Sequence, residues 1–172
     1  MDRAYRERRM QIRAYNFWLS LAGQRSCPSI ADLDLDALND FAPLSVLLDF
    51  TAGLESPAVS YLGTELALEC GTEGKIPRFE DVPGRSLLSR ITDHYRQIIA
   101  KRAPIGFEAE FVNQRGKTTL YRGILLPFSR GSDSVDFILG VINWNEREVA
   151  ADIALPKPPA RKPLDWAPSP AN

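Results

Sequence analysis

Between Met10 and Leu21 the apolar positions Met10, Ala14, Phe17, Trp18 and Leu21 recur at three- and four-residue steps, the spacing of one helical face. An amphipathic helix over residues 1–22 is therefore expected, closing near Gly23 ahead of Cys27-Pro28, which cannot easily continue it. From Ser29 to Asp40 four aspartates alternate with Leu33, Leu35 and Leu38 and no basic residue intervenes, a linker with room for a short helix or turn. The apolar run Leu44 to Phe50, bounded by Pro43 and Gly53, reads as a buried strand, and Ala58–Leu62 as its hairpin partner. Thr64–Cys70 fits a two-turn helix with Thr64 as N-cap and Gly71 as terminator. Up to Gly84 only single helical turns are expected.

The helical period returns at Ser86–Arg102, with Leu87, Leu88, Ile91, Tyr95, Ile98 and Ile99 on one side, and between Gly84 and Arg102 five Lys and Arg residues stand against the single acid Asp93. Three strands follow: Phe107–Phe111, whose phenylalanines and glutamates alternate, then Lys117–Phe128 and Val135–Trp144. From Leu155 six of eighteen residues are proline, so residues 151–172 are expected to form a disordered tail. The order is that of an α+β domain over residues 23–150, an antiparallel sheet carrying its helices on one face, preceded by the amphipathic helix.

Composition narrows the function. With 172 residues and 44% apolar content the chain can bury one sizeable core. Its 21 basic and 22 acidic side chains leave a net charge of −1, too little to gather nucleic acid or an anionic membrane. The arginines of the first helix are interrupted by Asp2 and Glu7 and read as a solvated or partner-facing collar. Cys27 and Cys70 are too few for a disulfide framework or zinc site and fit a reducing compartment. Neither a membrane span nor a secretory signal is apparent, so a cytoplasmic location is expected.

Several short segments carry a resemblance. Phe17-Trp18-Leu19-Ser20-Leu21 with Pro28, the Leu47-Leu48-Asp49 strand, Tyr61-Leu62-Gly63-Thr64-Glu65-Leu66, and Leu125-Leu126-Pro127-Phe128-Ser129 leading to Phe137-Ile138-Leu139-Gly140-Val141 together resemble the stand-alone PAS family found mainly in alphaproteobacteria. The likeness covers roughly Tyr15 to Glu146. It implies a PAS-like five-stranded antiparallel sheet and a small cytoplasmic sensory or regulatory module, often dimeric, with no catalytic residues to transfer.

A flavin photosensor of the PAS class needs a cysteine where this chain has Pro77, so photochemical adduct formation is disfavoured and a colourless protein is expected. Cys70, inside the Leu66-Leu68-Cys70 run, reads as a buried structural thiol. His94 is the only histidine and faces the packed side of its helix, which suits a core-edge imidazole better than an iron ligand. Gly71-Thr72-Glu73-Gly74-Lys75 fails as a phosphate loop, because Glu69 stands where the first glycine belongs and Ile76 follows the lysine. Glu108 and Glu110 share the polar face of one strand and read as surface groups.

No catalytic residue, metal ligand or cofactor is assigned. A candidate apolar pocket comprises Tyr61, Phe79, His94, Tyr95, Phe107, Phe111 and Asn143, and the sequence leaves open whether it holds a ligand or is simply filled core. Met10, Ala14, Phe17, Trp18 and Leu21 form the candidate surface for a homodimer or a signalling partner. The leading expectation is a non-enzymatic regulator working through protein contacts. Its alternatives are a sensor of a small apolar molecule and a small isomerase or dehydratase on a cone-shaped α+β fold, the last weakened by the lone histidine.

Overall fold

The computed structural model describes residues 3–72, 78–131 and 134–148. Its elements are α1 (Arg3–Ala22), β1 (Ser45–Asp49), β2 (Ala58–Leu62), α2 (Thr64–Cys70), α3 (Leu87–Lys101), β3 (Ile105–Val112), β4 (Thr118–Phe128) and β5 (Phe137–Arg147), with 3-10 turns at Ile30–Asp32, Leu35–Leu44 and Phe79–Asp81. The strands form one antiparallel sheet in the order β2-β1-β5-β4-β3. This is the α+β arrangement, one five-stranded antiparallel sheet flanked by helices, that the sequence order implied. The Pro-rich stretch 151–172 and Pro77 lie outside the described residues.

The helices that follow β2 share one face of the sheet, as expected, and the N-terminal helix covers the other. On the inner face, α2 and α3 cover Val46, Leu48, Val59, Phe107, Phe111, Tyr121, Leu125, Ile138 and Ile142. On the outer face, Met10, Ala14, Trp18 and Ala22 of α1 pack with Leu38, Phe41, Leu47, Ile124, Leu126, Phe128, Leu139 and Val141. The physical reason lies in the central strands: Ile124 to Phe128 and Ile138 to Ile142 hold apolar or small residues at both parities, so both faces need cover.

The expected partner stripe is therefore used within the chain. Met10, Ala14 and Trp18 are buried, while Phe17 and Leu21 are half-buried against the same cluster. Trp18 Nε1 donates to the Pro127 carbonyl at 2.7 Å, and Cys27 Sγ donates to that carbonyl at 3.2 Å. At the flank, Arg13 binds both carboxylate oxygens of Asp40 at 2.5 and 2.6 Å and lies 4.8 Å above the Phe41 ring. The arginine holds the Asp40 carboxyl below its ordinary range, chiefly through that hydrogen bond. Asn39, beside it, adopts φ 50 and ψ −116, a conformation that suits glycine.

The N-cap of α2 is Gly63 rather than Thr64, and no side chain caps it. Glycine is needed there because a Cβ would stand 2.3 and 2.4 Å from the carbonyl oxygens of Ala42 and Pro43. Gly71, at φ 74, ends the helix as expected.

Candidate functional site

The inner face is organised by α3. Ser86 caps the helix reciprocally with Ser89, and Glu69 Oε2 accepts the Leu87 N–H at 2.9 Å, which ties α2 to the start of α3. The helical period then lays Leu87, Leu88, Ile91, Tyr95 and Ile98 on the sheet.

Tyr95 sits between Phe50, with ring centroids 5.2 Å apart, and Phe79, 6.0 Å away and nearly perpendicular. On the adjoining flank His94 stacks face to face on Phe107 at 4.6 Å, and Phe107 and Phe111 each meet Tyr121 edge-on, at 5.8 and 5.7 Å. Arg90 lies 5.1 Å over the Phe111 ring. Gly123 makes room for this arrangement, since a Cβ there would meet the Phe107 ring at 2.4 Å.

Five of the seven residues singled out from the sequence thus share one wall: Phe79, His94, Tyr95, Phe107 and Phe111. Two do not. Tyr61 pairs with Leu47 on the outer face and donates its hydroxyl to the Ala42 carbonyl at 3.0 Å. Asn143 pairs with Arg122, also faces outward, and donates through Nδ2 to Met10 Sδ at 3.3 Å. Strand parity is the physical reason, because neighbours along a strand point to opposite faces and Ile142 and Trp144 take the inner one. Sequence reasoning missed Tyr121, although the pairing of Ala109 with Tyr121 puts it on the same side as Phe107 and Phe111.

The wall carries polar groups at its helix end. Glu69 is buried, and its Oε1 has no hydrogen-bond partner among the described residues; the same holds for Arg90 Nε. Burial is the main reason that the Glu69 carboxyl is pushed above its ordinary range. Neither thiol is activated. Burial raises Cys70, which donates to Glu69 Oε2 at 3.5 Å, to about 12, and raises Cys27 to about 11. Both stay protonated near neutrality, in keeping with structural thiols.

Glu108 departs from the surface reading. It accepts a hydrogen bond at 3.2 Å from Arg122, whose side chain is only 11% exposed. Among the described residues no group of three or more His, Cys, Asp and Glu side chains is placed to hold a metal ion. No described helix is long and apolar enough to cross a membrane.

The layout defines an α+β domain with a two-faced antiparallel sheet. Comparison with solved structures returns partial alignments. A light-oxygen-voltage domain studied with a flavin analogue aligns at a TM-score of 0.44 and 16% identity, covering 64% of this chain and 82% of that one. The light-state structure of the blue-light photoreceptor Aureochrome1 LOV aligns at 0.43 and 16%, covering 68% and 89%, and its dark-state structure at 0.43 and 17%, covering 69% and 83%. No family model matches the chain, and neither does any curated protein.

Proposed function

We propose that the chain is a sensory or regulatory domain of the PAS type that takes up a small, largely apolar molecule against the inner wall. The observation that carries this reading is the joining of Phe79, Tyr95, Phe107, Phe111 and Tyr121 on one face with the unpartnered buried atoms Glu69 Oε1 and Arg90 Nε at its end. Aromatic surface with a few polar atoms is the composition of small-molecule sites, in which the rings supply affinity and the polar atoms set orientation. The test is thermal stabilisation and native mass spectrometry with a panel of compact apolar and aromatic compounds, flavin mononucleotide and haem included. A compact apolar binder that stabilises wild type but not Phe107→Ala supports the reading. No stabilisation by any member overturns it, and stoichiometric flavin or haem absorbance in the purified protein overturns the expectation of a colourless one.

A second reading is regulation through protein contacts, with a second copy of the chain meeting it along α1. What favours it is the exposure of Ile12 and Leu19, two turns apart on the side of α1 turned away from the sheet. Light scattering of wild type and Ile12→Glu tests this. A wild-type dimer that dissociates in the variant supports it, and a monomer across the micromolar range removes it.

A further inference from the structure

Beneath the first half of α1, the outer face ends in polar side chains that do not complete one another. Gln11 is fully buried, and neither its Oε1 nor its Nε2 has a hydrogen-bond partner among the described residues. Arg122 of β4 donates through Nη2 to Glu108 on β3, while its Nε and Nη1 are buried without a hydrogen-bond partner among the described residues. Asn143, opposite Arg122 on β5, directs Nδ2 at a thioether, a weak acceptor.

The placement follows from register and helical phase. The Met10–Asn143 contact sets the start of α1 level with Arg122. Arg13 turns toward Asp40 and Phe41, in the segment that leads into β1. Gln11, two residues earlier and about 200° around the helix, lies on the opposite flank, over β4 and β3.

Donors outnumber acceptors there. Arg122 Nε and Nη1 bring three N–H groups and Gln11 Nε2 two more, whereas the unmatched acceptor of the set is Gln11 Oε1. Folded proteins rarely leave such groups unpaired. Internal water does not remove the surplus, because each molecule brings two donors of its own. An anion only accepts. Glu108 already accepts from Arg122 Nη2.

We propose that the space between α1 and the β3–β4 pair is a binding site for a compact, acceptor-rich anion, a carboxylate or phosphate group, held by Arg122 and Gln11. The site is separate from the inner wall and does not depend on what that wall binds. Because the ligand touches both α1 and the sheet, its binding also tightens the seating of the helix.

The experiment titrates the full chain with inorganic phosphate, acetate and succinate, with chloride as the ionic-strength control. It follows the thermal midpoint, the side-chain amide and Arg Nε–H NMR resonances, and hydrogen exchange along α1. At about tenfold its Kd, one of the three anions raises Tm by roughly 3–6 °C, moves the Gln11 and Arg122 signals and slows exchange in α1. Phosphate alone identifies a phosphoryl group, and acetate or succinate a carboxylate. Gln11→Leu is the decisive variant because it keeps the volume and removes the unpaired amide: its Tm without ligand is at least that of wild type, and its response to the anion falls at least tenfold. Arg122→Met loses the response as well. No anion-specific response at millimolar concentrations, or a response that persists in Gln11→Leu, overturns the proposal.

Discussion

The two faces of the sheet solve the same burial problem with different chemistry. The inner face is closed by rings and branched aliphatics, and its polar groups are confined to the Glu69 and Arg90 end. The outer face is apolar under the second half of α1 but polar under the first, and its helix is fastened by directional bonds from Trp18, Cys27 and Arg13. Apolar packing is non-directional and fixes how much is buried; the bonds to Pro127 and Asp40 fix where α1 sits. The inner helices thus owe their position to shape, and α1 owes its register to a few named atoms.

The largest break in this contrast comes from Phe107→Ala, which removes a ring touching His94, Tyr121 and the backbone at Gly123. A cost of about 3–5 kcal/mol in urea unfolding is expected. Trp18→Phe keeps most of the apolar contact and leaves the Pro127 carbonyl with Cys27 alone, so about 1–2 kcal/mol is expected, together with faster hydrogen exchange in α1 and unchanged exchange in α3. Equal loss of protection in both helices breaks the distinction between the faces. Asn39→Gly relieves the backbone next to Asp40 and stabilises by about 0.5–1 kcal/mol, if the Arg13–Asp40 pair is kept.

The smallest effect is one of slope with pH. The folded Glu69 carboxyl titrates above its unfolded value of 4.5, so its contribution to stability is complete below that pH and is lost as pH rises through the folded value. Asp40 has the opposite sign: its contribution is present above 3.8 and is lost as pH falls through its lowered folded value. Glu69→Gln should flatten the loss above pH 4.5 while leaving the acid limb in place, as read from urea midpoints across pH.

Much of the fold was legible because local signals agreed with the tertiary outcome. β2 and α2 fall at Ala58–Leu62 and Thr64–Cys70, where turn residues and glycines bracket short apolar runs. The parity of the unbroken apolar runs Ile124–Phe128 and Ile138–Ile142 calls for cover on two sides, and the stripe of α1, expected to meet a partner, supplies the outer cover. The same rule separates Asn143 and Tyr61 from the inner rings. Gln11 was legible in principle, since it precedes Ala14, Trp18 and Ala22 by three, seven and eleven residues, yet its polar side chain hid it from a search for apolar periodicity. The bond from Trp18 to Pro127 is invisible to any local pattern, because the partner lies in another part of the chain.

That separation, 109 residues, has a consequence for the order of events during synthesis. α1 is made before the carbonyl that seats its indole, which lies 109 residues further along the chain. At about 5–20 residues per second, α1 waits roughly 5–20 s with Met10, Trp18 and the rest of its stripe uncovered. β1 waits too, because β5, its neighbour on one side, follows the other four strands of the sheet in the sequence. During biosynthesis the apolar stripe of α1 is therefore open to chaperones until β4 and β5 have been made.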